Sequence, residues 1–111
     1  MSDEQRIKDE AGMRLALDQA HNALLVGEVP VGAVLTAKDG ALLAAHGNRI
    51  LERKDPTAHA ELNAVRDIAA RLGSEVLREC VIYASGQPCP MCLSALYLTG
   101  VREVFFANSN Q

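Results

Sequence analysis

Two short stretches of the sequence carry the residues best suited to chemistry. A His-Ala-Glu triplet begins at His59, and a Pro-Cys-Pro-Met-Cys segment contains Cys89 and Cys92. One imidazole and two thiolates are three good ligands for a zinc ion, one short of the usual four. Glu61 stands beside the histidine without belonging to a ligand pattern. Three protein ligands and a free carboxylate predict a catalytic zinc ion with water in its fourth position and Glu61 as general acid and base.

The histidine and the glutamate are expected at the start of a helix. An Asp-Pro-Thr signal at residues 55–57, followed by apolar residues at helical spacing, predicts a helix from residue 58 to 72. His59 and Glu61 then lie in its first turn. Residues two apart point to nearly opposite sides of a helix body, but at a helix end both can surround a point beyond the N-terminus.

The cysteines are expected at the start of another helix. Pro90 suits the first turn of a helix that begins at Cys89. Cys92 lies three residues later, about 60° round the helix, so both sulfurs can face one ion. Helix N-termini favour negative charge, and a pair of thiolates supplies it.

Two other interpretations of the cysteine pair remain open on spacing alone. Cys89 and Cys92 could form a thioredoxin-like redox pair at a helix start. A structural zinc site would need a fourth ligand, and His46 is the only candidate in the sequence. Cys80, within an apolar run, is expected to pack in the core like a small hydrophobic residue, and His21 is expected at the surface.

The rest of the sequence predicts alternating helices and strands. The first helix, from residue 3 to 26, has Ser2 as its N-cap. Its apolar stripe consists of Ile7, Met13, Leu17, Ala20 and Leu24, widened by Ala11, Ala16 and Ala23. The later elements are strands 31–36 and 41–46 around a turn at 38–40, a polar loop to residue 54, the helix 58–72, a strand 79–85, a helix from 90 to 100 and a strand 104–107. This order predicts helices covering a sheet whose last strands are parallel.

Two residues outside the motifs admit more than one interpretation. Gly32 lies inside a predicted strand, where it allows either the close approach of a ligand or tight packing against a helix. Asn48 follows the hairpin and could be a turn residue. Its amide could also donate to and accept from the edge of a heterocycle.

Composition limits the classes of protein that fit this sequence. The 111 residues are enough for one domain, taken as 1–111, and 49% of them are hydrophobic, which favours a packed core over disorder. The net charge of −3 and the absence of a Lys/Arg run give no sign of general nucleic-acid binding. No apolar run approaches the length of a membrane helix, and the first residues lack a signal-peptide pattern, so we expect a cytoplasmic protein.

At the two motifs the sequence resembles the cytidine and deoxycytidylate deaminase superfamily. It is most similar to the branch that holds guanine deaminases and tRNA adenosine deaminases, and the resemblance extends over nearly the whole chain. It implies a three-layer α/β/α sandwich with a mixed central sheet. It also implies one Zn²⁺ per chain, bound by His59, Cys89 and Cys92, with Glu61 moving protons and Asn48 contacting the base.

The resemblance narrows the substrate less than the reaction. Residues 29–33 are similar to the pocket wall of the tRNA enzymes, whereas residues 92–97 are more similar to guanine deaminases. We expect a hydrolase of carbon–nitrogen bonds in cyclic amidines, with guanine as first substrate and homodimeric assembly. The alternatives are a tRNA adenosine deaminase, another cytosine or nucleoside deaminase, and a non-catalytic or redox module. Further substrate contacts are expected from Pro30, Ala60 and Pro88.

Two departures from the family pattern are visible. Gln87 stands where the branch usually has glutamate, which puts any charge-dependent contact at that position in doubt. The sequence also ends, in a polar stretch at residues 108–111, before the family's last strand and C-terminal helices. We therefore expect either a more open site or a longer natural chain.

Overall fold

A four-stranded mixed sheet forms the middle layer of the molecule. The structure is a computed structural model that describes residues 2–107. The predicted polar end at residues 108–111 lies outside these residues. The elements in chain order are α1 (Asp3–Leu25), β1 (Gly32–Ala37), β2 (Leu42–Gly47), α2 (Ile50–Arg53), α3 (Ala60–Leu72), a 3-10 helix (Ser74–Glu79), β3 (Cys80–Ala84), α4 (Pro90–Thr99) and β4 (Glu103–Phe106). No helix among the described residues is both long and apolar enough to cross a membrane.

The strands lie in the order β2-β1-β3-β4. The strand β1 is antiparallel to both of its neighbours, and Val34 in its centre lies opposite Ala45 of β2 and Tyr83 of β3. The strands β3 and β4 are parallel, with Ile82 opposite Val104. The prediction that the last strands are parallel is therefore confirmed.

Side chains alternate between two cores on opposite faces of the sheet, as expected for strands covered on both sides. Leu35 and Ile82 pack with Ile68 of α3 on one face. Val34 and Tyr83 pack with α1 on the other face. These layers confirm the predicted α/β/α sandwich with a mixed sheet. Cys80 lies in the first core, as predicted.

The packing of α1 differs from the prediction. Its bounds are as predicted to within one residue, and Ser2 caps it by accepting a hydrogen bond from the Gln5 N–H at 3.1 Å. The predicted apolar stripe is buried only in part, however, because Ile7, Leu17 and Leu24 are exposed whereas three of its alanines are buried. The buried face consists of four small residues, Gly12, Ala16, Ala20 and Ala23. Small side chains allow this helix to lie closer to the sheet than leucines would.

Gly32 is the point of closest approach between α1 and the sheet. A Cβ atom at this position would collide with the backbone oxygen of Ala16 and the backbone nitrogen of Ala20. Of the two interpretations of Gly32, the structure confirms tight packing against a helix.

Two helical turns lie where the sequence predicted none. The segment expected to be a polar loop up to Lys54 contains α2, a helix of 4 residues that ends with Lys54 in the left-handed conformation. The 3-10 helix before β3 was also not predicted. Helices of 4 and 6 residues are too short to display hydrophobic periodicity, which explains both omissions. The predicted strands are all present, with each end displaced by one residue.

Replacing Gly32 by alanine should destabilise the fold. The added methyl group would meet backbone atoms that cannot rotate away, so α1 would have to move outward, at a cost of about 1–3 kcal/mol. The measurement is urea unfolding of Gly32→Ala beside Gly86→Ala, because a Cβ at Gly86 meets nothing within 4 Å. Equal unfolding midpoints for the two variants would contradict this account of the packing.

Candidate metal centre

The three predicted ligands come together at one point in space. The Nδ1 atom of His59 lies 3.6 Å from the Sγ of Cys89 and 3.6 Å from the Sγ of Cys92. All three ligand atoms lie within 4.8 Å of one another, and the two cysteines are free thiols. His59 precedes Cys89 by 30 positions and Cys92 by 33, so residues distant in the sequence form one cluster.

The spacing of these atoms fits a zinc ion. Zinc bonds of about 2.3 Å to sulfur and 2.1 Å to nitrogen, at tetrahedral angles, would place each sulfur roughly 3.6 Å from the nitrogen. The observed separations have this value. His59, Cys89 and Cys92 are therefore positioned to bind a zinc ion. The equal approach of both sulfurs to an imidazole favours a metal site over a redox pair of cysteines.

Each ligand motif begins at the N-cap residue of a helix, and the side chain of that residue is not used for capping. His59 caps α3 and Cys89 caps α4, each with extended backbone angles and no side-chain hydrogen bond to its own helix. Pro90 is the first residue of α4, where its missing N–H costs nothing. The prediction that both motifs start helices is confirmed, although α3 begins at Ala60 rather than at residue 58.

The turn before α3 is fixed by Asp55. Its carboxylate accepts hydrogen bonds from the Thr57 backbone N–H at 2.9 Å and from the Thr57 hydroxyl at 2.7 Å. These bonds hold the pKa of Asp55 below its ordinary value. The predicted helix-start signal therefore works by closing a local turn that brings the chain to His59.

Glu61 lies beside the ligand atoms without joining them. Its side chain is 4% exposed, and Oε1 lies 3.7 Å from the Sγ of Cys92. Burial raises the pKa of the Cys92 thiol, and the nearby Glu61 carboxylate and Cys89 raise it further. A cation among the ligand atoms would favour the thiolates instead. The donor set thus suits a zinc ion chemically as well as geometrically.

Asn48 is attached to the start of α3. It is buried, and its Oδ1 accepts a hydrogen bond of 2.8 Å from the backbone N–H of Ala60, the residue after the histidine ligand. An N–H donor requires the amide oxygen, so one of the two acceptor positions of the Asn48 oxygen is taken by Ala60. The bond fixes which end of the amide faces Ala60. The –NH₂ group remains a donor for another molecule, in agreement with the sequence interpretation.

Asn63 is a residue that the sequence interpretation overlooked. Its Nδ2 donates to the carbonyl oxygens of Gly47 at 3.0 Å and Ala58 at 3.1 Å, and so joins the end of β2 to the turn before the ligand histidine. Asn63 is buried, so these bonds satisfy its –NH₂ group away from water. A polar residue on the otherwise apolar face of a predicted helix was the signal that could have identified it.

His46, the possible fourth ligand, lies in a different set of contacts. Its Nε2 is 2.7 Å from the Oδ2 of Asp67, whose other oxygen accepts from Arg71 at 2.8 Å. The Arg71 and His46 bonds lower the pKa of Asp67. This network ties α3 to β2 and does not support a structural zinc site that includes His46. His21, as predicted, is exposed.

The remaining predicted substrate contacts differ in exposure. Ala60 is fully buried, and Pro88 is buried beside Cys89. Pro30 is exposed, as is Gln87, the residue that replaces the family's usual glutamate. The roles of Pro30, Ala60 and Pro88 toward a substrate stay predictions.

Comparisons with known proteins agree with this site. The family model described as the cytidine and deoxycytidylate deaminase zinc-binding region matches residues 6–108. The tRNA-specific adenosine deaminase of Aquifex aeolicus is 40% identical over 86% of this chain and 62% of its own length. The guanine deaminase of Bacillus subtilis is 46% identical over 70% of this chain and 49% of its own length.

Solved structures show the same likeness. A structure from a study of A-to-I editing by tRNA deaminases at the wobble position of transfer RNA superposes with a TM-score of 0.84 at 38% identity, and covers 89% of this chain and 75% of its own. In length, the chain spans 62% of the tRNA-specific adenosine deaminase of Aquifex aeolicus and 49% of the guanine deaminase of Bacillus subtilis.

Protein purified without chelator should contain roughly one zinc ion per chain. Cys92→Ser and His59→Ala should lose most of that zinc, because each removes a ligand atom. Elemental analysis after gel filtration measures it. Cys80→Ala is the matched control, since its thiol lies in the core and points to the Val76 carbonyl oxygen. Equal zinc content in Cys92→Ser and the unmutated protein would contradict the assigned site.

Proposed function

Because the chain belongs to the cytidine and deoxycytidylate deaminase family, we propose that it is a zinc-dependent hydrolytic deaminase of a purine base or similar aminated heterocycle. Guanine is the first candidate substrate, which would give xanthine and ammonia. The family membership was expected from the two sequence motifs, and that expectation is confirmed. The activity and the substrate are inferences for this chain.

The observation that carries the proposal is the position of Glu61. Its carboxylate is buried and lies within 3.7 Å of one ligand sulfur, yet the cluster of ligand atoms consists of His59, Cys89 and Cys92. A structural zinc site does not require an unbound carboxylate beside the metal, whereas hydrolysis requires a group there that transfers protons.

The chain's own residues would divide the work of hydrolysis as follows. A bound zinc ion would lower the pKa of a water molecule toward neutrality and make hydroxide available at physiological pH. Glu61 would accept the first proton of that water and donate it to a ring nitrogen of the base. It would then accept the second proton, from the hydroxyl group added to the carbon, and donate it to the departing amine. A carbon–oxygen bond replaces the carbon–nitrogen bond, water is consumed and ammonia leaves.

Two further groups could act on the bound heterocycle. The –NH₂ group of Asn48 would donate to a ring acceptor, since the bond from the Ala60 N–H fixes the orientation of the amide. The first turn of α4 has no side-chain cap, which leaves its backbone N–H groups free to stabilise a developing negative oxygen. These assignments explain why a base with acceptor atoms along its edge is a suitable substrate.

Two features favour a free base, with guanine first, over a tRNA substrate. Residues 92–97 are similar to guanine deaminases, and the Bacillus subtilis guanine deaminase is 46% identical over 78 residues. The net charge of −3 suits a free base better than a polyanion.

A tRNA adenosine deaminase is the second candidate. The tRNA-specific adenosine deaminase of Aquifex aeolicus is 40% identical over 95 residues, and residues 29–33 are similar to the tRNA enzymes. This function requires a salt-sensitive complex with a tRNA anticodon stem-loop. Homodimeric assembly and a cytoplasmic location, both expected from the sequence, belong to either proposal and stay predictions.

A substrate panel separates the candidates. Ammonia release from guanine, adenine, cytosine and their nucleosides should be largest with guanine, and an anticodon stem-loop RNA with adenosine at the wobble position should yield no inosine. Inosine formation together with a salt-sensitive gel shift would favour the tRNA enzyme instead. No release from any small substrate by zinc-loaded protein would defeat the proposal of a small substrate.

Replacing Glu61 should remove turnover and spare the metal. Glu61→Gln keeps the size of the side chain but cannot accept the proton, so kcat should fall by about 10²-fold or more while zinc content stays the same. Glu61→Ala should behave likewise. The control is Glu10→Gln, an exposed change on α1. Unchanged turnover in Glu61→Gln would overturn the role assigned to this residue.

A further inference from the structure

Glu28 is a buried carboxylate that the metal centre does not use. It lies in the loop between α1 and β1 and is 6% exposed. Its Oε1 accepts a hydrogen bond from the Leu51 backbone N–H at 3.1 Å, and its Oε2 accepts one from the Glu52 backbone N–H at 2.8 Å. Both oxygens are thus bonded to a segment 23 and 24 positions later in the sequence.

The donors belong to the first turn of α2. Arg49, the N-cap residue of this short helix, makes no capping hydrogen bond with its side chain. Glu28 supplies the missing acceptors from another part of the chain. Burying a carboxylate is costly, and the partial positive charge of a helix N-terminus offsets part of that cost. Among residues 2–107, the Glu28 carboxylate forms no salt bridge, and its hydrogen-bond donors are these two backbone N–H groups.

The segment held by Glu28 also holds the start of α3. Asn48 donates its backbone N–H to the Val31 carbonyl oxygen at 3.1 Å, and its side chain accepts from Ala60 at 2.8 Å. Arg49 donates its backbone N–H to the Ala58 carbonyl oxygen at 2.9 Å. The residues just before α2 therefore touch both sides of the ligand histidine, at positions 58 and 60.

We propose that Glu28 is a positioning residue, which sets the Asn48 amide for substrate by anchoring α2 through the Leu51 and Glu52 N–H groups. The inference rests on the proposed function, in which Asn48 contacts the base. Glu28 makes no hydrogen bond to the metal ligands or to Glu61 among the described residues. Its loss should therefore weaken substrate binding and leave the proton transfer and the metal in place.

The decisive variant is Glu28→Gln. The amide keeps the size of the side chain but presents an –NH₂ group to one of the two backbone N–H donors, so one hydrogen bond is lost. We expect KM to rise by about tenfold or more, with kcat changed by less than about threefold and zinc content unchanged. Glu52→Gln is the matched control, because it makes the same change on α2 at an exposed side chain paired with Arg49 and keeps its backbone N–H.

A double-mutant cycle tests whether Glu28 acts through Asn48. In an Asn48→Ala background, Glu28→Gln should raise KM little further, because the group that it positions is gone. Fully additive effects of the two changes on KM would overturn the proposal. Equal losses in kcat and in zinc content for Glu28→Gln would also overturn it, since they would indicate a general structural role.

Amide hydrogen exchange separates this inference from the proposed activity. In zinc-loaded Glu28→Gln, exchange should accelerate at Leu51, Glu52 and Ala60 and stay slow in β3. This result does not depend on any substrate, so it tests the anchoring of Asn48 even if no substrate in the panel is turned over. Unchanged exchange at Ala60 would overturn the proposal.

If Glu28→Gln does not fold, Glu28→Asp provides the test, because it keeps the negative charge but shortens the side chain by one methylene group. Faster exchange at Ala60 in Glu28→Asp would support the proposal, and unchanged exchange would overturn it.

Discussion

The approach of two sulfurs to one imidazole nitrogen is the contact on which the rest of the structure depends. It requires the first residues of α3 and α4 to meet, although they are distant in sequence. The sheet makes this possible, because β1 and β3 are neighbours and Ala33 lies opposite Ala84. Just beyond that pair, Ser85 accepts from the Gly32 N–H at 3.0 Å and donates its own N–H to the Gly32 carbonyl oxygen at 2.9 Å. This pair of hydrogen bonds between the strand ends fixes the turn from which α4 starts.

The charges at the centre make opposing demands on the fold. Two thiols and a buried carboxylate in one place repel one another when ionised, which is why burial together with Glu61 raises the pKa of Cys92. The N-termini of α3 and α4 favour anions but cannot hold three of them without a cation. The cluster is therefore a site whose chemistry is complete only with a metal ion.

Local patterns explain what the sequence could predict. The ligands, Glu61 and the helix starts were found because each depends on residue type at short spacing. The apolar stripe of α1 was right for its alanines and wrong for its larger residues, because close packing at Gly32 selects small residues over leucines. A single sequence does not reveal how closely a helix approaches the sheet. Glu28 was missed because its hydrogen bonds join distant segments and leave no periodic signal. Asn63 left only a weak signal, one polar residue within an apolar helix face, and its backbone partners are visible only in the structure.

The separation of the ligands along the chain has a consequence for folding. His59 and Cys92 are 33 positions apart, and the intervening chain includes α3, the 3-10 helix and β3. An ion held between them closes a loop that the unfolded chain leaves open, so its binding free energy adds to the folding free energy. The fraction of folded molecules then depends on free zinc concentration, by mass action. Supply of the metal would thus govern how long this polypeptide stays folded.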